Sequence, residues 1–339
     1  MKNTLIVALT RLVVATLCPL PRPLLRSLGR ALGAVAYACL PFARATAFAN
    51  LALAFPRATR RERARMARRA YLTLGALLGD TLARLSSRAV YPGAIPFDSD
   101  TSRRALAEAT ASGRGVMLLS AHLGPYEDVA RSLLAHGAPL LAVTKAAYDP
   151  RLEFVFERLR RGLPSVARDQ PGAAMRMVRH LRGGGVLGIP MDLASRVPSV
   201  RVPFFGQLAA TPVGPARIAL RTSARVVVCT AVRAARVDHG RAGADRYALK
   251  VTEIRTDDLV EALADPAARE VALCERINRE LCERILSLPE AWPWMHGRFG
   301  EAPPSVTSAA SPAGVASPAS VTAKPERSRL SGLATGETR

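Results

Sequence analysis

The chain has 339 residues, 49% of them hydrophobic, enough to bury the core of one large domain or two small ones. Its formal charge of +21 favours anionic partners, but 5% aromatic residues and the lack of a zinc-finger or RNA-binding sheet motif weigh against nucleic acid. That leaves membrane lipids and acidic or phosphorylated partners as the better match, and five scattered cysteines without a Cys-x-x-Cys pair indicate neither a disulfide framework nor a zinc cage.

From the N-terminus, Leu5 to Leu17 is apolar apart from Thr10, Arg11 and Thr16, and after a proline-rich break at residues 19–23 a second apolar stretch runs from Ala31 to Phe42. Neither is a clean span of about 20 residues, and no small-x-small cleavage site follows. Residues 1–42 are therefore expected to form a helical membrane anchor that inserts in or lies along a bilayer, with Arg22, Arg26 and Arg30 towards phosphate headgroups. Two buried core helices are the competing reading. Residues 44–90 have a helical pattern, in which the Arg- and Glu-dense run from Arg57 to Arg69 reads as a solvated face.

Beyond residue 100 strands and helices alternate. Strands are predicted at Gly115 to Ser120, Leu140 to Thr144, Gly185 to Pro190, Ala224 to Val232 and Tyr247 to Ile254. Helices are predicted at Ser102 to Ala111, Tyr126 to His136, Pro150 to Arg161, Ala173 to Leu181, Val213 to Arg221 and Asp265 to Leu288. The pattern is that of an α/β fold with a mixed, mostly parallel sheet flanked by helices, spanning residues 43–300. Residues 301–339, rich in Pro, Ser, Ala and Thr and without aromatics, read as a disordered tail.

The junction Ser120-Ala121-His122-Leu123-Gly124-Pro125-Tyr126-Glu127 carries the chemistry. It places His122 in a strand-to-helix turn, with Pro125 at the first helical position and Glu127 in the first turn, where a carboxylate is stabilised. An imidazole steered by a carboxylate can deprotonate a hydroxyl nucleophile. His122 is thus the candidate general base and Glu127 its orienting partner, while backbone N–H groups at Leu123 and Gly124 are candidates to stabilise an oxyanion. A structural histidine and a simple turn glycine are the plain alternatives. His136, His180 and His239 have no acidic company in a recognised motif. The chain contains no Gly-x-Ser-x-Gly elbow, P-loop, Gly-x-Gly-x-x-Gly after a strand, or His-Glu-x-x-His helix, and neither metal nor cofactor is implied.

The block His122-Leu123-Gly124-Pro125-Tyr126-Glu127 resembles the His-x4-Asp/Glu motif of glycerolipid and lysophospholipid acyltransferases, and is most similar to the bacterial lipid A biosynthesis branch. Four further blocks resemble that branch in the same order: Asn50-Leu51-Ala52-Leu53-Ala54-Phe55-Pro56; Asp192 after Gly188-Ile189-Pro190-Met191; Val202-Pro203-Phe204-Phe205-Gly206; and Trp292-Pro293-Trp294-Met295-His296-Gly297-Arg298. The chain departs from the family with Pro125-Tyr126 in place of Asn-Trp, Leu193 in place of Gln, and Gly297 in place of Arg.

The resemblance implies an O-acyltransferase with a catalytic domain over 43–300. It would move a fatty acyl chain from acyl carrier protein, or coenzyme A, to a hydroxyl of a lipid A precursor or related glycolipid at the cytoplasmic face of a bacterial inner membrane. It also implies a site arginine about thirty residues past the Glu, a position for which Arg158, Arg160 and Arg161 compete. Arg158 and Arg160 are favoured as phosphate ligands. Asp192 would orient an arginine or the acceptor sugar, Phe204 and Phe205 would serve the acyl pocket or packing, and Trp292, Trp294 and His296 would pack in the core or at the membrane interface. Another acceptor lipid (a phosphatidylinositol mannoside, lysophospholipid or ornithine lipid) and a non-catalytic basic membrane or nucleic-acid binder are the alternatives.

Overall fold

The computed structural model describes residues 2–85, 93–147, 149–234 and 247–299. The tail expected over 301–339 and His239 lie outside them.

Four helices come first: α1 (Lys2–Leu17), α2 (Arg22–Cys39), α3 (Pro41–Ala54) and α4 (Arg60–Leu85). Prolines set the breaks. Pro21 caps α2 and Pro41 opens α3, where a missing N–H costs nothing because the first turn's donors have no partner within the helix. Among the described residues no single helix is long and apolar enough to cross a membrane, although α2 and α3, bent by 90° at Leu40, pass that test as a pair.

Helices α2 and α4 run antiparallel, and their backbones touch through Gly29 and Gly33 on one and Gly75 and Gly79 on the other. A Cβ on Gly29 would stand 2.1 Å from the Gly75 carbonyl oxygen, and one on Gly79 would stand 2.2 Å from that of Leu25. A spacing of four puts each glycine pair on one helix face. That close seam turns the opposite stripe of α2 outward, exposing Leu24, Leu28, Leu32 and Val35. Ile6, Leu9 and Leu12 of α1 and Leu40 and Phe42 at the bend are exposed as well, Phe42 to 89%.

The arginines expected at headgroups divide differently. Arg22 and Arg26 turn inward to the buried carboxylate of Asp80 on α4, Arg22 at 2.7 Å, and Arg30 alone of the three is exposed. The reason is electrostatic: an unpaired carboxylate at that depth would be costly, and these are the cations one helix away.

The sheet follows: β1 (Val116–Ser120), β2 (Leu140–Thr144), β3 (Ser165–Ala167), β4 (Val186–Pro190), β7 (Arg225–Arg233) and β8 (Tyr247–Ile254), ordered β3-β2-β4-β1-β7-β8. All neighbours pair in parallel except β7 with β8, so the sheet is mixed and mostly parallel, as the continuous apolar runs implied. Side chains of β1 alternate between two apolar layers. Met117 and Leu119 join the cluster containing α4 and α11 (Pro266–Ser287), and Val116 and Leu118 join the one under α5 (Asp100–Ala111) and α6 (Tyr126–Ala135).

Between β4 and β7 lie a hairpin of β5 (Ser199–Phe204) and β6 (Gln207–Pro212) and helix α9 (Gly214–Thr222). The two-residue turn Phe205-Gly206 has φ of 50° and 76°, the signs of a type I′ hairpin. The segment expected as one helix from Pro150 to Arg161 is a 3-10 turn, Pro150–Leu152, leading into α7 (Glu153–Leu159). Helices α8 (Ala173–Arg182) and α10 (Asp257–Ala262) and a 3-10 turn at Pro289–Ala291 complete the described elements. Strands β3, β5 and β6 and helix α10 are short and are not among the predicted elements; β3, β6 and α10 lack a sustained apolar period, whereas β5 alternates Val200, Val202 and Phe204 with Arg201 and Pro203.

Candidate active site

Strands β1 and β4 lie side by side with Ser120 opposite Pro190. His122 and Asp192 each sit two residues beyond that last pair, so the register of two parallel strands carries the imidazole and the carboxylate to the same place, at the carboxyl edge where α/β sheets form sites. Asp192 Oδ1 stands 2.8 Å from His122 Nδ1, Asp192 Oδ2 accepts the His122 backbone N–H at 3.0 Å, and the same Oδ2 accepts the Trp292 indole N–H at 2.7 Å. Asp192 is 0% exposed. Three donors are what make a fully buried carboxylate tolerable.

Burial is the strongest influence on Asp192 and works to raise its pKa, but the hydrogen bond and charge of His122, with smaller help from Trp292, hold it below the usual range. Burial likewise opposes charging of His122, yet the bond and charge of Asp192, and more weakly the charge of Glu127, leave its pKa raised. With Nδ1–H pointed at a carboxylate, Nε2 keeps the lone pair, and the side chain is 29% accessible. The arrangement can take a proton from a hydroxyl group.

The partner of the imidazole thus differs from the sequence expectation. Glu127 is near enough to act by charge, but its Oε2 is held at 3.0 Å by Arg84 Nη2, from the last turn of α4. Arg84 Nη1 holds Asp128 at 3.0 Å in turn. Pro125 caps α6 and Tyr126 opens it, so Glu127 is the second helical residue and points along the helix start towards α4. Five residues of separation cannot reveal that a carboxylate 70 residues on reaches the ring first.

Gly124 also differs in part. Its φ of +60° confirms a tight turn for which glycine suits best, but its N–H donates to the Ala291 carbonyl at 3.0 Å and is taken out of play as an oxyanion donor. Leu123 is buried beside it.

The five sequence blocks converge here. Asn50 donates to the carbonyls of Trp294 at 2.7 Å and His296 at 2.8 Å, joining the first block to the last. Phe204 and Phe205 pack with Trp292, and the Phe205 and Trp294 rings stack 5.6 Å apart. Trp292 and Trp294 are wholly buried, as expected of core residues, but Trp292 also steadies Asp192, a role only its indole donor could have signalled. Arg298 is buried with its guanidinium over the Phe204 ring at 4.5 Å and Nη2 on Thr211 Oγ1 at 3.0 Å, and burial pushes its pKa down to about 10. Buried among these partners, Arg298 ties the last block to the hairpin and is no surface contact for phosphate.

The candidate arginines stand apart from this cluster. Arg160 is tied to Glu153 at 3.1 Å and to the Lys145 carbonyl at 2.8 Å, and lies over the Phe156 ring. The charge of Arg158 reaches Cys18 at the end of α1. His136 and His180 are occupied by backbone carbonyls, of Ile95 for the first and of Pro139 and Val186 for the second.

No curated protein matches the chain closely enough to count as a relative. The family model of the bacterial lipid A biosynthesis acyltransferases matches residues 1–301, and the chain belongs to that family.

Proposed function

We propose that this acyltransferase moves a fatty acyl chain from an acyl thioester, on acyl carrier protein or coenzyme A, to a hydroxyl of a lipid A precursor or related glycolipid, with His122 as general base. The observation that carries the reading is a partly accessible imidazole whose Nδ1 is held by the buried Asp192 at 2.8 Å. His122 Nε2 takes the proton of the acceptor hydroxyl as its oxygen attacks the thioester carbonyl carbon. The carbonyl electron pair moves onto oxygen, then returns and breaks the C–S bond, and the thiolate leaves with the proton from His122. Asp192 fixes the tautomer and balances the imidazolium between those steps.

Glu127 acts from the second rank, by charge. The Leu123 N–H serves the oxyanion. Arg158, whose charge lies beside α1, takes a phosphate of the lipid, while Arg160 holds the loop after α7 to Glu153. Phe205, only partly buried, sets one wall of the acyl-chain site, with the buried Phe204 packed behind it.

Helices α1 and α2 lay their apolar stripe on the cytoplasmic leaflet of the inner membrane. Four aliphatic side chains on one face of α2, with the exposed Ile6, Leu9 and Leu12 of α1 and the exposed Phe42, support this placement. Replacing Leu28 and Leu32 together by Asp should cut binding to anionic phospholipid vesicles at least tenfold while the thermal midpoint holds. Unchanged binding would refute the helix assignment.

The decisive assay gives purified protein a labelled acyl thioester and lipid A precursor in vesicles. His122→Ala should lower transfer about 10²- to 10⁴-fold with folding and vesicle binding intact. A fully active variant, or a wild type that acylates no lipid, contradicts the proposal.

A further inference from the structure

Beyond the Leu123 N–H, the site described so far offers few donors for the oxyanion. Most of the donors around His122 are already engaged: the His122 N–H and the Trp292 indole by Asp192, the Gly124 N–H by the Ala291 carbonyl, and the Tyr126 N–H by the Gly124 carbonyl at 2.9 Å. Nη1 and Nη2 of Arg84 are bound to Asp128, Glu127 and Thr81, and its Nε is sealed from solvent.

The Tyr126 side chain is different. Its ring lies against the His122 ring, centroids 4.8 Å apart and tilted by 57°, and the residue is 37% exposed, so it fronts the same accessible side as the base. We infer that the Tyr126 hydroxyl is a catalytic hydrogen-bond donor, aimed at the thioester carbonyl oxygen as that oxygen becomes negative. This rests on the assignment of His122 as base.

The chemistry suits the group. Burial and the charge of Glu127 both push the phenol up from its ordinary value, so it stays protonated across the working pH range and donates without titrating. Glu127, whose charge acts on the phenol, is itself fixed by Arg84. When the carbonyl oxygen gains charge, the hydroxyl rotates to it; no covalent bond of the phenol breaks and no proton leaves it. Glu127 is then a positioning residue for the phenol, which gives that carboxylate a task although Asp192 holds the imidazole.

Tyr126→Phe removes the hydroxyl and keeps the ring beside His122. With the acyl thioester and lipid acceptor of the assay above, kcat should fall about 10- to 100-fold, below the loss of about 10²- to 10³-fold for an enclosed oxyanion-hole donor, because the residue as a whole is partly accessible. KM for the donor should stay within about twofold, the thermal midpoint should not move, and the pH limb belonging to His122 should remain where it is. Glu127→Gln in the Tyr126→Phe background should add less than it does alone, since both changes act through one hydroxyl.

Activity within twofold of wild type, a loss confined to KM, or full multiplication of the two effects would overturn the inference. The outcomes separate it from the reading it rests on. An inactive His122→Ala beside a fully active Tyr126→Phe removes only the phenol's role, whereas an active His122→Ala removes both.

Discussion

His122 has an inner and an outer acidic neighbour, and the two sides of the ring are built differently. On the inner side Asp192 is enclosed, bound by three donors and fixed by the register of two core strands. On the outer side Glu127 begins a helix, has a side chain 29% accessible and answers to Arg84. A buried pair in a defined register holds geometry; a half-open carboxylate at a helix start tunes charge and can move. The contrast teaches that the residue closest in sequence to a base need not be the one that steers it.

The largest expected effect tests that contrast directly. Asp192→Asn should lower kcat by roughly 100- to 1,000-fold, because the imidazole loses its tautomer and its counter-charge. Glu127→Gln should cost about tenfold, in line with a role one step removed. Equal losses would erase the distinction between inner and outer sides.

A smaller effect sharpens it. Trp292→Phe keeps an aromatic ring in the core but strips one donor from Asp192. It should destabilise the fold by about 2 kcal/mol, the range for a hydrogen bond to a buried charge, and lower kcat about tenfold. Thermal unfolding alongside the transfer assay checks both. A stability loss with unchanged kcat would make Trp292 a packing residue only.

Much of this was legible in the chain. Continuous apolar runs at Val116 to Leu119 and Val226 to Val228 marked strands buried on both faces, and the turn after the first of them located His122. Asp192 was legible as the end of a core strand but not as the partner of His122, because strand order is not written in local periodicity: β4 lies next to β1, with β2 beyond it. The glycine seam between α2 and α4 escaped for a related reason. Gly29, Gly33, Gly75 and Gly79 read singly as weak helix residues, and their meaning exists only when two helices meet. Arg22 and Arg26 looked like headgroup ligands until Asp80 was placed opposite them. Tyr126 is legible in the sequence only as a departure from the family's Trp, and its position against the imidazole is what gives the hydroxyl a use.

The most direct test of the account is the pH dependence of kcat/KM in wild type, Asp192→Asn and Glu127→Gln. A general base works unprotonated, so the rate falls as pH drops through its pKa. In wild type Asp192 and, more weakly, Glu127 raise that pKa against the effect of burial, so the acid limb should lie above the 6.5 of a free imidazole. Asp192→Asn leaves burial unopposed by its main counterweight and should carry the limb below 6.5, while Glu127→Gln should move it only slightly downward. A limb that shifts strongly with Glu127→Gln and stays in place with Asp192→Asn would contradict the claim that Asp192 steers the base.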